Sequence, residues 1–99
     1  MNPPILISEV EVVPVKPRSG LIGFASCIVN DQLYVGDIGI HVRPDGNGYR
    51  LVFPLKVLPT GKEIHCVHPI THEAGDAFHQ AIVGKLEIVM ANARQGIRR

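Results

Sequence analysis

The stretch LIGFASCIVNDQLYVGDIGIHV, residues 21–42, decides the fold. Its first half places apolar or small residues on both alternating sets: Leu21, Gly23, Ala25, Cys27 and Val29 on one side, Ile22, Phe24, Ser26 and Ile28 on the other. That pattern predicts a central strand covered on both faces. Asn30-Asp31 makes a tight connection, and the run resumes over 32–42 with Leu33 and Val35 facing opposite to Tyr34, Ile38 and Ile40. The two runs are expected to pair as an antiparallel hairpin.

Working outward, residues 5–15 set Val10 and Val12 against Glu9 and Glu11 with period two, the pattern of a half-exposed first strand. Pro14 and Pro17 have no N–H for a ladder, so this strand lies at an edge or stops there, and Ser19-Gly20 supplies the next turn. Downstream, Pro44-Asp45-Gly46-Asn47-Gly48 is the strongest turn signal, because Gly and Asn tolerate the positive φ of a short reversal. It leads to a fourth strand over 49–53, ended by Pro54. A further reversal at 58–62 precedes a short fifth strand over 63–67, and His68-Pro69 stops the sheet.

The period then becomes helical: Ala74, Ala77, Phe78, Ala81, Ile82, Leu86, Val89 and Ala93 recur at spacings of three and four, so one stripe is expected to pack on the sheet. Thr71 is placed to cap the helix. Glu73 and Asp76 near its start and Arg94 near its end suit the helix dipole. Gly75 and Gly84 each weaken a helix by about 1 kcal/mol relative to Ala, which predicts close packing around them. The fold class is therefore α+β: an antiparallel sheet of about five strands (about 5–67) followed by a C-terminal amphipathic helix (about 71–93) and a frayed tail at 96–99. Residues 1–99 are read as one domain.

Composition narrows the function. The chain has 99 residues, 10 Lys plus Arg against 9 Asp plus Glu, and a formal charge of +1, so any polyanion must be held by a local patch rather than a global field. Cys27 and Cys66 lie far apart in apolar runs and read as buried thiols in a reducing compartment, which predicts a cytoplasmic protein. No stretch approaches the ~20 apolar residues of a membrane span. His65, Cys66, His68, His72 and His79 crowd into one segment, but no C-x-x-C or H-E-x-x-H spacing is present. His65 and Cys66 are adjacent on a strand and point apart. No metal, cofactor or small-molecule substrate is expected. Nor do a nucleophile beside a base, paired carboxylates or a phosphate-cradling glycine loop appear, so catalytic residues are not assigned. Asp37, the acid interrupting an apolar strand, must face solvent or find donors.

Cations gather in the middle of the chain: Arg43, Arg50, Lys56 and Lys62, with Tyr49 and Phe53 among them. Such a sheet surface suits phosphate contact and base stacking. In this region an ordered set appears: Ala25-Ser26, Asn30-Asp31-Gln32-Leu33, Val35-Gly36-Asp37-Ile38, Asp45-Gly46-Asn47-Gly48, Phe53-Pro54-Leu55-Lys56, Pro59-Thr60-Gly61 and His68-Pro69-Ile70 leading into a helix. In order and spacing this set resembles the stage V sporulation protein G family of small bacterial regulators, over about two-thirds of the chain. The resemblance implies antiparallel strands with a C-terminal helix, a homodimer, and binding to DNA and RNA in transcription regulation tied to sporulation, septation and cell division, without enzymatic activity. Lys56 is the cation that carries over. Val57, Leu58, Ile64, His65 and Cys66 stand where the family carries more charge, and Gly36 stands in place of its His. Lys56, Lys62, Arg43, Arg50 and Arg94 are the expected nucleic-acid contacts, with Arg98 and Arg99 beside Arg94. The competing reading is a protein-binding or oligomeric assembly module with little nucleic-acid affinity.

Overall fold

Two short reversals with left-handed backbone set the sheet. Ser19-Gly20 has φ of 52° and 89°, and Asn30-Asp31 has 52° and 57°. Positive φ at both central positions gives a turn whose twist matches that of the flanking strands. These turns join β1 (Ile7–Arg18), β2 (Leu21–Val29) and β3 (Leu33–Val42) into an antiparallel meander, and a turn over 43–48 adds β4 (Tyr49–Val52). The sheet order is β1-β2-β3-β4. β5 (Leu55–Val57) and β6 (Glu63–His65) form a second, two-stranded sheet, and α1 (His72–Arg94) completes the chain. The computed structural model describes residues 3–94; Arg98 and Arg99 lie outside them.

The α+β architecture is the one the sequence predicts, and β1 is an edge strand, as its prolines require. It runs through both of them to Arg18 while pairing with β2 alone. Gly23 lets β1 come close, because a Cβ there would sit 3.0 Å from the Val13 carbonyl oxygen. The fifth strand differs from expectation. Residues 63–65 do not extend the main sheet but turn back on β5, through a reversal closed by the Leu58 N–H to Lys62 carbonyl bond of 2.8 Å.

A second difference lies inside β3. Ala25 pairs with Ile38 and Cys27 with Val35, so Gly36 and Asp37 together oppose Ser26 in a β-bulge, with Asp37 at φ 59°. The extra residue restores parity: Val35, Ile38 and Ile40 all enter one core instead of splitting between faces. They meet Ala25, Cys27 and Val29 from β2, and Phe78, Ile82 and Leu86 from one stripe of α1. Phe53 extends this contact with its ring 5.0 Å from that of Phe78, edge to face. Among the described residues no polar or charged side chain is buried.

Thr71 caps the helix: its Oγ1 accepts the Ala74 N–H at 3.1 Å. The expected close packing at the helix glycines is absent. A Cβ at Gly84 would meet nothing within 4 Å, and one at Gly75 only Pro69 Cγ at 4.0 Å. Cys27 is buried as expected, whereas Cys66 is exposed on the chain leaving β6; both are free thiols. No helix among the described residues is long and apolar enough to cross a membrane.

Because α1 covers one side of the sheet, the expectation of a central strand covered on both faces holds for the helix side only. Phe24 on β2 is 37% exposed on the other. The radius of gyration, 14.7 Å, exceeds the ~13 Å of a compact chain of about 100 residues.

Candidate nucleic-acid interface on the open sheet face

Residues directly opposite each other in an antiparallel ladder project to the same face, so the register reads out the open side. Arg50 of β4 pairs with His41 of β3, His41 with Leu21 of β2, and Leu21 with Arg18 of β1. One cross-strand row therefore carries two guanidiniums and an imidazole. The next row is apolar: Val13, Phe24, Gly39 and Val52. Beyond it Glu11 and Ser26 meet the bulge at Gly36 and Asp37, followed by Ser8, Ile28 and Tyr34. The Tyr34 ring lies over Gly36, where a Cβ would sit 2.7 Å from the phenol oxygen. The face thus grades from cations at the β2–β3 strand ends near Leu21, through exposed Phe24, to carboxylates around the bulge, with Tyr34 beyond them.

Of the expected contacts, Arg50 belongs to this row. Arg43 sits in the adjoining turn with its Cδ 3.8 Å from the Cβ position of Gly48. Lys56, opposite Ile64, and Lys62 are exposed on the β5–β6 hairpin, in a sheet of their own. The hairpin root nonetheless abuts the open face: Pro54 and Leu55 line a cavity of about 220 Å³ together with Leu21, Phe24, Asp37, Gly39, His41, Val52 and Phe53. Arg94 ends α1, and its side chain lies outside the described residues. Arg18 and His41 were not among the expected contacts. The signal for Arg18 is the two-residue turn after it, which fixes residue 18 opposite residue 21.

The histidine segment does not converge. The His65 and His68 rings lie with centroids 4.2 Å apart, tilted by 44°. His68 Nδ1 is 3.0 Å from the Pro69 carbonyl oxygen, His79 Nε2 is 3.3 Å from the Tyr49 carbonyl oxygen, and His72 pairs with Asp76 at 3.4 Å. Among the described residues no three His, Cys, Asp or Glu side chains are placed to hold a metal ion. Burial pushes the Cys27 thiol above its ordinary pKa. A larger cleft of about 1020 Å³ lies between Pro3, Pro4, Ile5, Asn30 and the start of α1. The Thr71 hydroxyl there is already engaged in the cap.

An open face with phosphate-seeking groups along one row and an aromatic ring beside it can follow a nucleic-acid backbone and stack a base. No family model and no curated protein matches this chain.

Proposed function

We propose that this chain is a small, cytoplasmic, homodimeric nucleic-acid-binding regulator of gene expression and not an enzyme. The observation that supports this best is the cross-strand row Arg18–Leu21–His41–Arg50 beside exposed Phe24. A nearly neutral chain places two arginines and a histidine along one row of an open sheet face. Lys56 and Lys62 on the hairpin, and Arg43 in the turn, extend the footprint. The ordered resemblance to the stage V sporulation protein G regulators points the same way. The homodimer is motivated by the hairpin: two strands alone are marginal in water, and Val57, opposite Glu63 on one of its faces, is 59% exposed. A second copy covering that face would double the cationic row.

The test is fluorescence anisotropy with labelled single-stranded RNA and duplex DNA at two salt concentrations. Saturable binding that weakens with salt is expected. Arg50→Ala, Arg18→Ala and Lys56→Ala should each lower the slope of log K against log salt by about 0.9 per lost contact on duplex DNA and about 0.7 on single strands. An unchanged slope removes that residue from the interface. The breadth of exposed apolar surface, including Leu33 and Val13, favours one other reading, an assembly module. Absence of binding at ~10 μM protein and low salt would select it.

A further inference from the structure

The β5–β6 hairpin is a part of the chain that the core does not use. Every residue of its two strands is exposed. Among the described residues, none from 55 to 65 belongs to the core or packs against it, and neither strand makes an extended contact with the main sheet or α1. The hairpin is nonetheless well formed. At its tip the Leu58 N–H donates to the Lys62 carbonyl and the Gly61 N–H to the Leu58 carbonyl, each at 2.8 Å, with Gly61 at φ 91°. At its base the Cys66 N–H donates to the Pro54 carbonyl at 3.2 Å. A ribbon closed at both ends therefore stands off the domain, and at about 3.4 Å per residue the run from Leu55 to Pro59 reaches roughly 14 Å. Register sorts its charges. Lys56 stands opposite Ile64, while Leu55 opposes His65 and Val57 opposes Glu63. Lys56 and Ile64 thus share one face, and Leu55, Val57, Glu63 and His65 the other. Alternation from Ile64 through Glu63 returns Lys62 to the face of Lys56, on a diagonal of about 7–8 Å. Both lysines lie on a face without an acid, and the hairpin's one carboxylate is on the opposite face. Leu55 lines the cavity beside the open sheet face, so the lysine face turns away from the sheet.

We infer that the lysine face of this ribbon enters the major groove of B-form duplex DNA. The inference rests on the nucleic-acid reading above and deepens it, naming one form of ligand and the element that meets it. The major groove, about 12 Å wide and 8.5 Å deep, admits a two-stranded β-ribbon, and the arm is longer than that depth. The minor groove, about 6 Å across, is too narrow for two strands spaced by about 4.8 Å together with their side chains. Two ammonium groups on flexible four-carbon stems reach phosphates along the groove walls. Ile64, exposed beside both lysines, is then the residue presented to the base edges, where an apolar side chain meets the C5 methyl group of thymine. The closed turn holds the ribbon in shape before it binds, which keeps the ordering cost of association low. In A-form RNA the major groove is deep and narrow and side chains do not read it, so duplex RNA is not a ligand of the arm.

The experiment uses anisotropy with the full chain and four labelled probes: a short A·T-rich duplex DNA, the same duplex with uracil in place of every thymine, the duplex RNA of that sequence, and one of its DNA strands alone. Uracil lacks only the methyl group that projects into the major groove, so the uracil duplex should bind about fourfold more weakly, the value of one buried methyl group. The RNA duplex should bind more weakly still, because the groove itself is closed to the arm. Ile64→Ala should bind the thymine and uracil duplexes alike. Lys62→Ala should lower the slope of log K against log salt by about 0.9 on duplex DNA and leave the slope on the single strand unchanged. Both positions are exposed, and circular dichroism and sedimentation confirm that fold and mass are kept. Thymine and uracil duplexes bound alike by the unaltered chain, a thymine preference that survives Ile64→Ala, or duplex RNA bound as tightly as duplex DNA overturns the arm, while salt-sensitive binding of the single strand leaves the regulator standing. No binding of any probe at ~10 μM protein and low salt overturns both.

Discussion

Gly84 gives the sharpest quantitative test of how α1 sits in the molecule. It occupies the interior of a helix running from His72 to Arg94, is exposed, and a Cβ added there would meet no atom within 4 Å. Gly in a helix interior costs roughly 0.5–1 kcal/mol relative to Ala, chiefly because the unfolded chain has more freedom to lose. With no contact to set against it, Gly84→Ala should recover nearly all of that. In a domain of about 100 residues, 1 kcal/mol shifts Tm by roughly 4–8 °C, so an increase of about 2–8 °C is expected by circular dichroism. The scan should be repeated at two protein concentrations, because a dimer couples stability to concentration. A lower Tm at both concentrations would refute the reasoning: something would be packed against Gly84 that the single chain does not contain. Gly75→Ala is the internal comparison and should also stabilise, since its nearest non-local neighbour is an ordinary contact at 4.0 Å.

Other perturbations probe the core, the cap and the buried thiol. Ile82→Ala removes a fully buried side chain of the α1 stripe and should cost about 2–5 kcal/mol in urea unfolding; a loss under ~1 kcal/mol would mean that α1 is not seated on the sheet. Thr71→Ala removes the acceptor for the Ala74 N–H and should cost about 1 kcal/mol, with Thr71→Ser nearly neutral. The Cys27 thiol is pushed up by burial. Its contribution to stability is therefore complete below the ordinary thiol value of 9.0 and is lost as pH rises through and above it, because the unfolded chain ionises first. Cys27→Ala should flatten that alkaline loss. In the native state a thiol reagent should label Cys66 rapidly and Cys27 only at the rate of opening.

Much of the fold is written in local signals. The short reversals at Ser19-Gly20 and Asn30-Asp31 mark their own hairpins, each with positive φ at two successive residues. The prolines of β1 exclude every position but an edge. The Phe78, Ile82, Leu86 stripe and the Thr71 cap are likewise local, with i to i+4 spacing and one side-chain oxygen three residues before its donor. What stayed hidden is non-local. The pairing of β5 with β6 rather than with the main sheet depends on where Pro54 sends the chain, which no periodicity encodes. Arg18 and His41 join Arg50 only after strand register is known. Arg43, Lys56 and Lys62 were found as a cluster in sequence, yet strand pairing puts Lys56 and Lys62 on a different sheet from Arg50.

The bulge at Gly36-Asp37 links the core to the open face, and the magnitudes explain why it persists. A regular β3 would have to send either Val35 or the pair Ile38 and Ile40 to the solvent side, because a strand alternates strictly. Burying one such aliphatic side chain is worth about 1.5–3 kcal/mol, whereas an Asp in the left-handed region costs on the order of 1–2 kcal/mol and is among the residues best suited to it. Inserting one residue therefore gains more than it loses, with all three aliphatics now at 4%, 0% and 0% exposure. The same insertion fixes the other parity. With Ile38 and Ile40 turned inward, Asp37, Gly39 and His41 are presented together on the outside, at the spacing of alternate residues and beside Phe24 and Val52. The polar face is thus a geometric consequence of how the core is filled. Deleting Gly36 would leave Val35 and Ile38 two positions apart, so a regular β3 would still send Val35, Ile38 and Ile40 inward and Asp37, Gly39 and His41 outward; stability should hold, while Asp37 leaves its left-handed backbone state.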